Sequence, residues 1–159
     1  MKYRQLTTEQ FESLHKEFAQ FLATQKIDVQ EWQQIKSEKP ELAEEELNLF
    51  SNMVWEDVLT KVTHLEHFSK KSVNLFKCDE KVIKRIVITI DRDIDLFTEE
   101  GYKWLLQNPK DSTVDYLIGQ KAYKVERNIE LFDLIEKGAT ISKGELFEYF
   151  NRLIDASTP

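Results

Sequence analysis

The chain has 159 residues, of which 41% are hydrophobic and 32% are charged, and its net charge is −7. This composition is typical of a globular domain with a buried core, and the negative charge disfavours binding to the phosphate backbone of nucleic acids. The single cysteine excludes an intramolecular disulfide, and no window reaches the roughly 18 apolar residues of a membrane span. We therefore expect a cytoplasmic protein that does not bind a membrane, and we keep binding to nucleic acid only as a minor alternative.

The first part of the chain predicts three helices. A capping-box residue, Thr7, precedes apolar residues at helical spacing and predicts a helix over 8–24. Asp28 is the predicted N-cap of a second, shorter helix that ends before Pro40, because the residue before a proline disfavours the helical conformation. A third helix is predicted over 41–65, where apolar residues cover more than half of the circumference.

The middle of the chain changes to a strand pattern. Residues 73–78 and 86–90 are rich in β-branched and aromatic residues, which favour strands. Residues 79–81 fit the hairpin turn between them. Short strands over 94–96 and 114–118 would bring the sheet to three or four strands.

Helical patterns return in the last part. Thr98 is the predicted N-cap of a helix that ends before Pro109. Two further helices are predicted, over 123–137 with Gly138 as its end signal, and over 146–154.

No linker or repeat divides these segments, so we expect one α+β domain over 1–159. Its predicted fold is a small antiparallel sheet of three to four strands, around which helical N- and C-terminal parts pack. The predicted segments are helical 7–68, β-rich 72–97, mixed 98–119 and helical 121–155.

Three histidines and an aspartate suggest a metal site as one hypothesis: His15, Asp57, His64 and His67. On a continuous helix His64 and His67 would share a face, and Asp57 would lie two turns earlier on nearly the same side. Such a set suits zinc or another transition metal, but its spacing matches no established zinc motif. The alternative is a histidine pair that interacts with the negative end of a helix dipole. We therefore expect no cofactor, and keep a transition metal as the alternative.

Basic residues form two clusters, one of Lys81, Lys84 and Arg85, and the other of Lys121, Lys124 and Arg127. The second cluster has the three-residue spacing of a helix face. Neither cluster is interleaved with the aromatic side chains on which single-stranded nucleic acids stack, so we interpret both as solvated surfaces.

No catalytic residue is predicted, because the four glycines form no phosphate-binding loop and no nucleophile lies in an activating pattern. We expect a non-catalytic protein-interaction or structural module whose partner is another protein. A homo-oligomer is an open alternative, as is a small metal-binding protein or metalloenzyme. Aromatic residues dominate many interfaces, and the candidate anchors are Trp32, Trp55, Tyr102 and Trp104. For each of them, packing in the core is the competing interpretation.

Five segments resemble an uncharacterised family of short, acidic bacterial proteins. They are KYRQLT (2–7), FLATQKI (21–27), VWEDVL (54–59), HLEHFS (64–69) and EEGYKWL (99–105). The resemblance covers nearly the whole chain and implies a bacterial cytoplasmic protein with a domain of unknown function. It implies no catalytic residue.

Overall fold

A computed structural model describes residues 1–157. Within these residues the chain forms seven helices and one five-stranded antiparallel sheet. The α+β fold class is therefore confirmed, with five strands rather than three to four. Two compact units divide the chain, Met1–Thr60 and a second unit that begins at Lys61. The single-domain organisation over 1–159 stays a prediction.

The first unit is helical, and its helix starts follow the predicted signals. The side chain of Thr7 accepts from the backbone of Gln10, that of Asp28 accepts from Glu31, and Pro40 is the first residue of the longest helix. These local hydrogen bonds satisfy N–H groups that a helix cannot pair internally. The helices are α1 Thr8–Ser13, α2 His15–Thr24, α3 Val29–Glu38 and α4 Pro40–Lys61.

The helix predicted over 8–24 is divided at Leu14. The backbone of Leu14 has φ −107° and ψ 22°, outside the helical region, and its N–H reaches the carbonyls of Gln10 and Phe11. Across this break, the rings of Phe11 in α1 and Phe18 in α2 lie 5.7 Å apart between centroids. Phe18 packs against a small core, in which it contacts the ring of Trp32 edge-on at 5.2 Å between centroids.

The second unit contains the sheet and three helices. Its strands lie in the order β4-β3-β2-β1-β5, and all neighbours are antiparallel. The strands are β1 His64–Phe68, β2 Ser72–Cys78, β3 Val82–Ile90, β4 Val114–Ala122 and β5 Thr140–Ser142, and the helices are α5 Glu99–Gln107, α6 Arg127–Glu136 and α7 Glu145–Ser157.

Three segment predictions need correction. The helical segment 7–68 ends too late, because residues 64–68 form β1 and pair with β2 and β5. The helical segment 121–155 includes the last residues of β4 and the whole of β5. Residues 94–96 form no strand, because the side chain of Asp95 accepts from the backbone N–H of Phe97 and makes a turn there.

Alternate residues of each strand face opposite sides of the sheet. One side, which we call the packed face, carries buried aliphatic residues of β2 and β3 against Leu105 of α5 and against Phe147 and Phe150 of α7. The strand registers place the other set of residues on the opposite side, which we call the open face: Asn74, Phe76, Ile83, Arg85, Leu117, Gly119 and Lys121.

Candidate functional site

The two neighbouring histidines lie on opposite faces of the sheet. Residues three apart on a strand point to opposite sides, whereas they share a side on a helix. His64 therefore contacts Glu148 of α7, while His67 lies on the open face. The prediction that these two histidines share a helix face is wrong, because residues 64–68 form a strand.

The other two candidate metal ligands lie in the first unit. His15 is the first residue of α2 and Asp57 lies in α4, and both side chains are exposed. Among residues 1–157, no group of three or more histidine, cysteine, aspartate or glutamate side chains is arranged to hold a metal ion.

His64 belongs to a polar cluster on the packed face, whose other two side chains are partly exposed. Its Nε2 lies 3.3 Å from Oε1 of Glu148, which also lies 3.4 Å from Nζ of Lys77. Burial raises the pKa of Glu148, but hydrogen bonds from His64 and Lys77 outweigh burial and leave it below its ordinary value. Gly144 closes the cluster, because a Cβ at that position would lie 2.4 Å from the His64 ring. The absence of a side chain at Gly144 therefore leaves room for the imidazole ring of His64.

The four candidate aromatic anchors divide into two pairs. Trp32 and Trp55 are buried, so core packing is the interpretation that the structure supports for both. Tyr102 and Trp104, both on α5, are partly exposed. Their part in an interface stays a prediction.

The open face borders a groove of about 820 Å³, which we call the basic groove. Its floor includes Phe76, Ile83 and Gly119 of the sheet, and Leu134 of α6 lies on its other side. A cavity of this volume is within the range of about 300–1,000 Å³ that binding sites usually have. The groove is therefore the candidate site of the second unit.

Basic side chains outnumber acidic ones around the groove. Lys121 Nζ lies 3.4 Å from Glu130, and Lys137 Nζ lies 2.9 Å from Asp133. The remaining two basic residues of the lining are Arg85 and Lys124, and neither forms an ion pair within the part of the chain that the structure describes. The groove therefore has two cations whose charge is not compensated by a nearby carboxylate.

Arg85 is held in place by uncharged neighbours. Its guanidinium carbon lies 5.5 Å from the centre of the Phe76 ring, and its Nε donates to Oδ1 of Asn74 at 3.0 Å. A cation held over an aromatic ring keeps its charge and its remaining donors for another partner. The geometry suits recognition of a carboxylate or another anion.

Glu130 fixes the loop that carries Lys124. Its Oε1 accepts hydrogen bonds from the backbone N–H groups of Lys124 and Val125, the latter at 3.3 Å. Burial raises the pKa of Glu130, but these two hydrogen bonds and the Lys121 ammonium lower it below its ordinary value. The carboxylate therefore organises the groove wall and stays charged at neutral pH.

The predicted basic cluster of Lys121, Lys124 and Arg127 is divided in the structure, and two of its members join a different set of basic residues. Arg127 donates to the carbonyls of Val62, Cys78 and Asp79, which anchors the start of α6. Lys121 and Lys124 instead meet Arg85 and Lys137 around the groove. Sequence spacing missed this set because its members come from β3, β4, a loop and the end of α6.

Cys78 provides no nucleophile beside the groove. It is buried, and desolvation raises the pKa of its thiol to about 12, against the effect of the nearby Arg127. The thiol is therefore protonated at physiological pH.

These observations define an α+β protein with a basic groove on one face of its sheet. A model of the family of unknown function DUF6495 matches residues 1–155, and the chain belongs to this family. No curated protein and no solved structure matches the chain. None of the described helices is both long and apolar enough to cross a membrane.

Proposed function

We propose that this protein is a non-catalytic protein-interaction module of the bacterial cytoplasm, and that its basic groove binds an acidic segment of another protein. The observation that carries the proposal is a groove with two uncompensated cations in a chain of net charge −7. The overall charge repels anions at long range, so an anionic ligand requires a local basic site of this kind.

The charges of the groove favour carboxylates. Arg85 and Lys124 come from separate elements and line the same groove. Hydrogen bonds to charged groups contribute about 1.5–3 kcal/mol each, and Arg85 can bind a carboxylate with two donors. Two such contacts would distinguish an acidic peptide from a neutral one.

The floor of the groove favours a peptide that also carries an apolar side chain. At Gly119, a Cβ would have no other atom within 4 Å, so the strand leaves open space above an apolar floor. The ring of Phe76 is only 7% exposed and lies beneath Arg85, which leaves no ring face for a nucleobase to stack on. We therefore favour a peptide over a nucleic acid.

The test is a selection from a random peptide library displayed on phage, followed by fluorescence anisotropy with an enriched peptide. We expect enrichment of aspartate or glutamate beside an apolar residue. Lys124→Glu should weaken binding of the labelled peptide about 10- to 100-fold, because it removes one charge-assisted contact and adds a repulsion. Gly119→Trp should also weaken binding, because the indole would fill the floor.

The matched control is Lys110→Glu, which makes the same charge change at an exposed residue outside the groove. This variant should bind within about twofold of the unmodified protein, because distant exposed charges are screened by salt. The proposal is contradicted if no acidic peptide is enriched, or if Lys110→Glu and Lys124→Glu weaken binding equally.

A further inference from the structure

We infer that β4 pairs antiparallel with β4 of a second copy of this chain, with Ile118 on the two-fold axis. The pairing would join two five-stranded sheets into one continuous sheet with both basic grooves on the same side. This inference uses the outer edge of β4 and does not depend on what the groove binds.

β4 is an edge strand with an unusually exposed apolar centre. It is the first strand of the sheet order and has nine residues, and all of those from Leu117 to Ala122 are exposed. Leu117 and Ile118 are 68% and 60% exposed. Long, exposed and apolar edge strands are templates for pairing with another chain, and natural proteins usually protect them with charges, prolines or bulges.

The backbone of β4 has donors and acceptors that point away from β3. The N–H of Asp91 donates to the carbonyl of Thr113. The register therefore directs the backbone N–H and C=O groups of the odd-numbered residues of β4 toward β3. In an antiparallel ladder the alternate residues point the other way. Tyr116, Ile118 and Gln120 therefore present their N–H and C=O groups to the free edge.

The sequence of β4 is self-complementary in one register. With Ile118 opposite its own copy, the ends of the strand coincide, because Val114 then lies opposite Ala122. Asp115 lies opposite Lys121 of the second copy, and the same pair recurs on the other side of the axis. Opposite charges across a strand pair are stabilising, and both side chains are exposed. Lys121 lies 3.4 Å from Glu130 of its own chain, so Asp115 of the second copy would be its second carboxylate partner.

The same register also fits the side-chain volumes. Leu117 lies opposite Gly119 of the second copy, where no side chain obstructs it. Each Leu117 would then border the groove of the second copy and extend its apolar floor. A different register shortens the overlap and separates the charged pairs. The other sheet edge, β5, has only three residues and is a much poorer template. These features favour a second copy of this chain as the occupant.

The first test is sedimentation velocity of the full chain over a wide concentration range. We expect a monomer–dimer equilibrium for the unmodified protein and loss of the dimer in Ile118→Lys, because two ammonium groups would meet on the axis. The matched control is Ile141→Lys, at a 53% exposed isoleucine of β5, which should keep the dimer. Circular dichroism of both variants should show the unmodified fold.

The second test is disulfide cross-linking, which reports the register. Paired residues that exchange both hydrogen bonds have Cα atoms about 5.5 Å apart, within the range of about 4.4–6.8 Å that a disulfide bridges. Ile118→Cys should therefore cross-link to itself under mild oxidation. Gln120→Cys, which lies off the axis, should not. The buried Cys78 is a poor competitor.

The inference is overturned if the unmodified protein remains monomeric at all concentrations. It is also overturned if Ile118→Lys dimerises as well as Ile141→Lys, since the contact would then lie elsewhere. Equal cross-linking of Ile118→Cys and Gln120→Cys would contradict the register and with it the Asp115–Lys121 pairs.

Discussion

The two faces of the sheet are built from alternate residues of the same strands and have opposite properties. On β3, Ile86 and Ile88 point to the packed face and are buried, while Arg85 and Thr89 on the open face are exposed. The packed face closes on α5 and α7, whereas the open face borders the basic groove. Because the packed face stabilises the fold and the proposed binding site lies on the open face, mutations can separate stability from binding.

The largest expected effect of that separation is on stability. Ile88→Ala should lower the free energy of unfolding by about 2–5 kcal/mol, because it creates a cavity at a residue with no exposed surface. Thr89→Ala, on the open face of β3, should change it by less than about 1 kcal/mol, because the residue is exposed. Urea unfolding followed by circular dichroism measures both, and similar losses in the two variants would contradict the assignment of the faces.

Substitution by alanine should have opposite effects on stability at Gly119, in β4, and at Gly144, between β5 and α7. Gly144 has φ +89°, and a Cβ there would meet the His64 ring at 2.4 Å. Gly144→Ala should therefore cost at least about 1–2 kcal/mol of stability from the left-handed backbone alone. Gly119→Ala meets open space and should be neutral or stabilise by up to about 1 kcal/mol. Thermal unfolding of the pair checks this contrast, and an equal loss in both variants would refute it.

The smallest expected effect is the pH dependence of the His64 cluster. The folded-state pKa of Glu148 lies below the ordinary value of 4.5, so its stabilisation is present above that pH and is lost as pH falls through the folded pKa. The carboxylate is 38% exposed, so the contribution should be below about 1 kcal/mol.

Glu148→Gln should accordingly be slightly less stable than the unmodified protein at neutral pH, and the difference should shrink in acid below about pH 4.5. Urea unfolding at several pH values measures the difference. A difference that grows as the pH falls would contradict the assigned direction of the pKa shift.

The strands β2 and β3 were predictable because their residues carry the local signal of a strand. Val73, Ile86 and Ile88 lie in β-branched runs on either side of a turn, and local pattern and tertiary pairing agree there. β1 was not predictable in the same way. Its His64-Leu65 sequence continues the apolar spacing of α4, and its strand conformation depends on pairing with β2, across a short turn, and with β5, which is distant in sequence.

The basic groove was not predicted from the sequence, because its residues also come together only through tertiary structure. Lys121 and Lys124 have the spacing of a helix face, but one ends a strand and the other lies in a loop. Their neighbour Arg85 is brought beside them only by the pairing of β3 with β4. A set of charges assembled from separate elements leaves no periodic signal in the sequence.

The open face is the proposed binding side of the sheet, and the packed face stabilises the fold. The most direct test is an NMR titration of ¹⁵N-labelled protein with a selected acidic peptide. We predict saturable shift changes at the amides of Arg85, Gly119 and Lys124, with the amides of Ile88 and Phe150 unchanged. Shift changes centred on α5 and α7, or spread evenly over both faces, would contradict binding at the open face.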